Sequence, residues 1–146
     1  MLIDRIKEDL KEAMKARDAH RVDTLRFLLS EVKNVGINEK KDLTDAVFVG
    51  VVQRLSKQRR DGIEQFRTAG RTDLVDKEEA ELAILQGYLP KQMTDAELEA
   101  VVRTAIQETG ATSKKDMGKV MKLAMERLAG AAEGKRVQTV VQSLLP

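Results

Sequence analysis

From Leu2 to Leu145 the apolar residues of this chain fall at three- and four-residue steps, and no run of β-branched residues alternates with polar ones. That spacing gathers side chains on one side of a helix and leaves no period-two surface from which to build a strand. Leu2, Ile3, Ile6, Leu10 and Met14 form a first stripe, which lapses near Arg17 to Ala19. Val22, Leu25, Leu28, Leu29, Val32 and Val35 form a second, with Gly36 expected to close it as a left-handed cap. Beyond a polar loop at Asn38 to Asp42, Thr44 precedes a long pattern built on Val47, Val51, Leu55, Ile63 and Phe66. A fourth helix is expected to open at Thr72 or Asp73 and run to Tyr88, with Asp73, Asp76, Glu78 and Glu79 in its first turns, where the helix dipole favours acids.

Leu89-Pro90 stops that helix, because proline disfavours the helical conformation in the residue before it. Thr94 and Glu97 then have the spacing of a capping box. The expected organisation is therefore all-α: a four-helix N-terminal unit over 1–90 and a three-helix tail over 94–146. The tail helices are expected at Asp95 to Thr109 with Gly110 as stop, at Lys114 to Leu128 with Gly130 as stop, and at Lys135 to Leu145. Ser113 is expected to cap the second of these, with Asp116 in its first turn.

Several chemistries are excluded or disfavoured by residue type. The chain has no cysteine, which removes disulfides, thiolate zinc sites and cysteine nucleophiles. Its one histidine, His20, is expected on the surface in a polar turn with no organised nucleophile or orienting acid beside it. Asp73 and Asp76 are explained by helix capping, so neither a metal, a cofactor nor a catalytic residue is expected. The N-terminal MLIDRIKEDL is amphipathic and unlike a signal peptide, and no run of about 20 apolar residues exists; no membrane association and a cytoplasmic location are the expectation. Tryptophan is absent and aromatics are 3%, so bases would find few stacking platforms.

A net charge of +2 is too small to attract polyanions globally, and any such attraction must be local. Between 111 and 136 the bases Lys114, Lys115, Lys119, Lys122, Arg127, Lys135 and Arg136 face only three acids, whereas 91–110 has two bases against four. At about 100° per residue, Met117, Val120, Met121, Ala124, Met125 and Leu128 share one side of a helix, and Lys115, Lys119 and Lys122 fall on the other. Lysines a turn apart suit successive phosphates and need read no base; an ordinary solvated face is the alternative. Gly118, Gly130 and Gly134 offer close backbone approach, to a phosphate or to a neighbouring helix. A secondary basic patch comprises Arg54, Lys57, Arg59 and Arg60. There Arg59 interrupts an apolar stripe and needs a carboxylate such as Glu78 or Glu81, unless the patch is a groove for RNA or protein.

The runs KQRRDGIEQF (Lys57 to Phe66), RTDLVDKEEAELAILQGYLPKQM (Arg71 to Met93), GATSKKDMGKVM (Gly110 to Met121) and GAAEGK (Gly130 to Lys135) resemble, in order and spacing, those of the YqeY family. Over the tail alone the chain also resembles the GatB subunit of tRNA-dependent amidotransferase. That enzyme is a carbon-nitrogen ligase which uses glutamine as amido donor to correct misacylated tRNA. The resemblance implies an accessory protein that binds tRNA or another structured RNA through the tail. It also implies no catalysis by this chain alone, since the activating and transamidating parts of the enzyme lie outside the tail. A module that docks on an amidotransferase or aminoacyl-tRNA synthetase without touching RNA is the competing expectation. The oligomeric state is open.

Overall fold

A computed structural model describes all 146 residues and contains seven α-helices and no strand. The helices are α1 (Leu2–Lys15), α2 (Ala19–Asn38), α3 (Asp45–Thr68), α4 (Thr72–Gln86), α5 (Asp95–Thr109), α6 (Met117–Leu128) and α7 (Gly134–Leu144). One 3₁₀ turn, Lys114–Asp116, leads into α6. The all-α class is as the periodicity requires. Two compact units result, Met1–Leu89 and Pro90–Pro146. No helix is long and apolar enough to cross a membrane.

In the first unit the stripes of α1, α2, α3 and α4 close on one core, with Ile6, Leu25, Leu28, Val52, Leu55 and Leu85 almost wholly enclosed. Each such side chain contributes on the order of 2 kcal/mol by leaving water. Thr44 caps α3 by accepting from the Val47 N–H at 3.3 Å. Gly36 does not end α2. The helix continues to Asn38, and the left-handed residue beyond it is Lys40, at φ 52°. What Gly36 permits is a close approach, because a Cβ there would lie 2.7 Å from Cδ2 of Leu43, which folds back on the helix from the next segment.

Tyr88, just past α4, fastens that element to α1. Its hydroxyl donates to Asp9 Oδ2 at 2.5 Å, and Arg5 covers its ring at 4.7 Å while donating to the Gly87 carbonyl at 2.8 Å. Burial, and then the hydrogen bond to the Asp9 carboxylate, push the phenol well above its usual pKa.

In the tail unit, α5, α6 and α7 enclose Leu98, Val102, Val120, Ala124, Val137 and Val141. Thr94 accepts from the Glu97 N–H at 3.2 Å, the first half of the capping box expected from TDAE, while the Glu97 carboxylate accepts from the Thr94 hydroxyl at 3.0 Å in place of its backbone N–H. Gly110 ends α5 in the left-handed conformation, φ 67°. Two expectations need correction. Ser113 makes no side-chain cap; instead Asp116 Oδ2 accepts from the Thr112 N–H at 3.1 Å, and the chain enters α6 through the 3₁₀ turn. At the other end of α6, Ala129 takes the left-handed cap at φ 45°, and Gly130 follows at φ 94°.

Candidate nucleic-acid interface

The α6 stripe sorts as its spacing predicts: Val120, Ala124 and Leu128 are buried, Met117, Met121 and Met125 are half-buried against the same core, and Lys119 and Lys122 are exposed. Lys114 and Lys115, on the preceding turn, are exposed as well, and none of these four ammonium groups meets a carboxylate. Lys135, at the start of α7, is also exposed. Four ammonium groups from Lys114 to Lys122, with the single acid Asp116 among them, give a local positive potential available to a polyanion.

The two tail arginines behave differently. Arg127 on α6 is paired with Glu108 near the end of α5. Arg136 on α7 donates to the Met93 carbonyl at 2.9 Å and to Asp95 Oδ1 at 2.8 Å. It thereby fixes the chain entering α5. Around it, the Met93 N–H donates to the Ala131 carbonyl at 2.8 Å, and Gln92 Nε2 to the Gly130 carbonyl at 3.0 Å. Both arginines are thus engaged in holding the tail together.

The glycines also separate. Gly130 is buried with a positive φ and presents its carbonyl to Gln92. Gly134 opens α7, where a Cβ would meet Met125 Cε at 3.8 Å, an ordinary packing distance. Gly118 is exposed, and a Cβ on it would meet nothing within 4 Å. No helix packs against it, so close helix approach is not the reason for glycine there.

In the secondary patch, Arg54 pairs with Glu31 at 3.0 Å. Arg59 Nε lies 2.9 Å from Glu81 Oε2 and 3.4 Å from Glu78 Oε2, the pairing with α4 that its place in the apolar stripe implies. Its guanidinium also covers the Phe27 ring at 5.3 Å. A Cβ at Gly62, three residues on, would meet Glu78 Oε2 at 3.9 Å, an ordinary packing distance, so the pairing does not require glycine there. Arg60 is engaged with a neighbour, and Lys57 is exposed. His20 is not in a surface turn; it lies in the first turn of α2, half-buried, with Nε2 enclosed and its carbonyl accepting from Thr24 Oγ1 at 3.0 Å.

The sequence pattern of the family described as Yqey-like protein matches residues 3–145. The chain belongs to that family. Among curated relatives, a protein of Pyrenophora tritici-repentis named "Altered inheritance of mitochondria protein 41, mitochondrial" is 33% identical over 97% of this chain and 81% of its own length. The protein of the same name from Lachancea thermotolerans is 40% identical over 70% of this chain and 57% of its own length. The one from Kluyveromyces lactis is 45% identical over 57% of this chain and 45% of its own. The chain thus spans four-fifths of the first relative and about half of the other two.

Two arrangements in this Yqey-like chain escape sequence reading. The Arg136 link reaches a backbone carbonyl 43 positions away, which no side-chain pattern announces. The Tyr88 clasp had a weak signal: the chain's one tyrosine directly before Leu89-Pro90, and an Arg5-Asp9 pair one helical turn apart.

Proposed function

We propose that this chain is a non-catalytic accessory protein that binds tRNA or another structured RNA through its tail, in the orbit of glutamine-dependent amidotransfer to tRNA. The observation that carries the reading is the set of unpaired, exposed lysines Lys114, Lys115, Lys119 and Lys122, set beside tail arginines that do have partners. Side chains of this kind grip the sugar-phosphate backbone by charge and position, which suits a chain with few aromatics. The link to tRNA rests on the likeness of the tail to that of GatB. A cytoplasmic site of action belongs to the same proposal; the mitochondrial label is said of the fungal relatives.

The test is binding of labelled bulk tRNA by the full chain across a salt series. Changing Lys115, Lys119 and Lys122 to Gln should weaken binding and flatten the slope of log affinity against log salt, by up to about 0.9 for each phosphate no longer neutralised on a duplex-like target. Unchanged affinity and slope would overturn the reading and favour docking on an amidotransferase or synthetase without RNA contact.

A further inference from the structure

Gly118 stands in the first turn of α6, where alanine would be the better helix former. Three structural reasons commonly retain glycine, and none applies. Its φ is not positive, no neighbouring backbone or side chain comes within 4 Å of where a Cβ would stand, and the residue is exposed. What surrounds it along the chain is specific. Lys114 and Lys115 precede it on the 3₁₀ turn that leads into α6, and Met121 and Lys122 follow it by one helical turn, the spacing at which helical side chains are neighbours. A bare patch of backbone thus lies in a stretch of chain that carries these three exposed lysines and the half-buried thioether of Met121.

We propose that Gly118 is the seat on which a backbone phosphodiester of RNA comes down. Lys114, Lys115 and Lys122 ring the phosphate, and Met121 lies against the adjoining ribose. The proposal rests on the RNA reading above and adds to it a steric requirement that charge alone does not impose. The absent side chain sets how near the phosphate can come, and so how strongly three flexible lysines can reach it at once. Gly50 on α3 provides the contrast. It too is exposed with nothing within 4 Å of a Cβ, but its one-turn neighbours are Ala46, Val47, Gln53 and the already paired Arg54.

The experiment compares Gly118→Ala, Gly118→Leu and Gly50→Ala in the full chain, by thermal melting and by binding of labelled bulk tRNA over a salt series. Both alanine changes should raise the melting temperature by about 2–4 °C, since each improves an exposed helical position. Gly118→Ala should nonetheless weaken tRNA binding roughly tenfold, and Gly118→Leu further, because the added atoms occupy the seat. The salt slope should stay at its wild-type value, since no charge is removed. Gly50→Ala should bind as wild type. Two results overturn the seat and leave RNA binding standing: Gly118 variants that bind as wild type while the triple lysine variant loses affinity, or a Gly118→Ala protein that melts lower than wild type. A wild-type chain that binds no tRNA at low salt overturns both.

Discussion

On α3, Arg54 meets Glu31, Arg59 lies against Glu78 and Glu81, and Arg60 is engaged; on α6 and the turn before it, Lys114, Lys115, Lys119 and Lys122 meet no carboxylate. Both stretches look equally basic in sequence. In these two stretches the difference follows residue type, although Lys11, Lys15 and Lys41 elsewhere meet carboxylates at 3.4–3.7 Å. A guanidinium presents a planar fork that matches carboxylates and covers rings, as Arg59 does Phe27, whereas an ammonium is a strongly hydrated point charge on a flexible stem. The tail repeats the rule within itself, with Arg127 and Arg136 tied down and Lys135 exposed. A tally of positive charge therefore overstates a binding surface, and the charges that remain for a ligand are those the fold leaves alone.

That contrast can be broken most easily at Arg59. Its side chain is 21% exposed and that of Glu81 15%, so removing the cation strands two poorly solvated carboxylates. Arg59→Ala should cost about 2–3 kcal/mol in urea denaturation. Arg59→Met, which keeps apolar volume beside Phe27, should cost less. If both variants match wild type, the α3 patch is not structural and the contrast with α6 fails.

Tyr88 gives a smaller effect. Tyr88→Phe should cost about 1–2 kcal/mol through removal of the bond to Asp9. Because the folded chain raises the phenol pKa, the contribution is intact below the ordinary value of 10.0 and declines as pH rises beyond it. With one tyrosine and no tryptophan, tyrosinate absorbance follows this group alone, and Tyr88→Phe should remove the share of the alkaline decline that this phenol contributes. Titration at the ordinary value would show that the clasp does not hold. The smallest effect belongs to the triple change of Lys115, Lys119 and Lys122 to Gln, which should shift stability by no more than ~0.5 kcal/mol. A larger loss would place those lysines among the structural cations and erase the contrast from the other side.

The sequence revealed what neighbouring residues decide and concealed what distant ones decide. Thr94 as the cap of the Glu97 N–H, and Gly110 after Thr109, are local signals, and both stand as read. Gly36 misled because its partner is Leu43, which returns to the helix only once the loop has folded. Ser113 and Gly130 were reasonable caps by composition, but Ser113 makes no side-chain bond to the helix, Asp116 accepts from the Thr112 N–H ahead of it, and Ala129 takes the left-handed turn. In the candidate interface, the lysines were legible because a helix face is periodic. The engagement of Arg127 with Glu108 and of Arg136 with Met93 was not, since each joins separate helices or reaches a main-chain oxygen.

The Tyr88 clasp also bears on the order of folding events. The helices pack chiefly on their neighbours in sequence, α1 on α2, α3 on α4, α5 on α6 and α6 on α7, so most loops to be closed are short and assembly should be fast. The bond from Tyr88 to Asp9 spans 79 positions and closes the first unit's chain nearly end to end. A contact of that separation is expected to form after the rate-limiting barrier. Its loss in Tyr88→Phe should then appear in stopped-flow experiments as faster unfolding with an almost unaltered folding rate, making the clasp a latch on the lifetime of the native state.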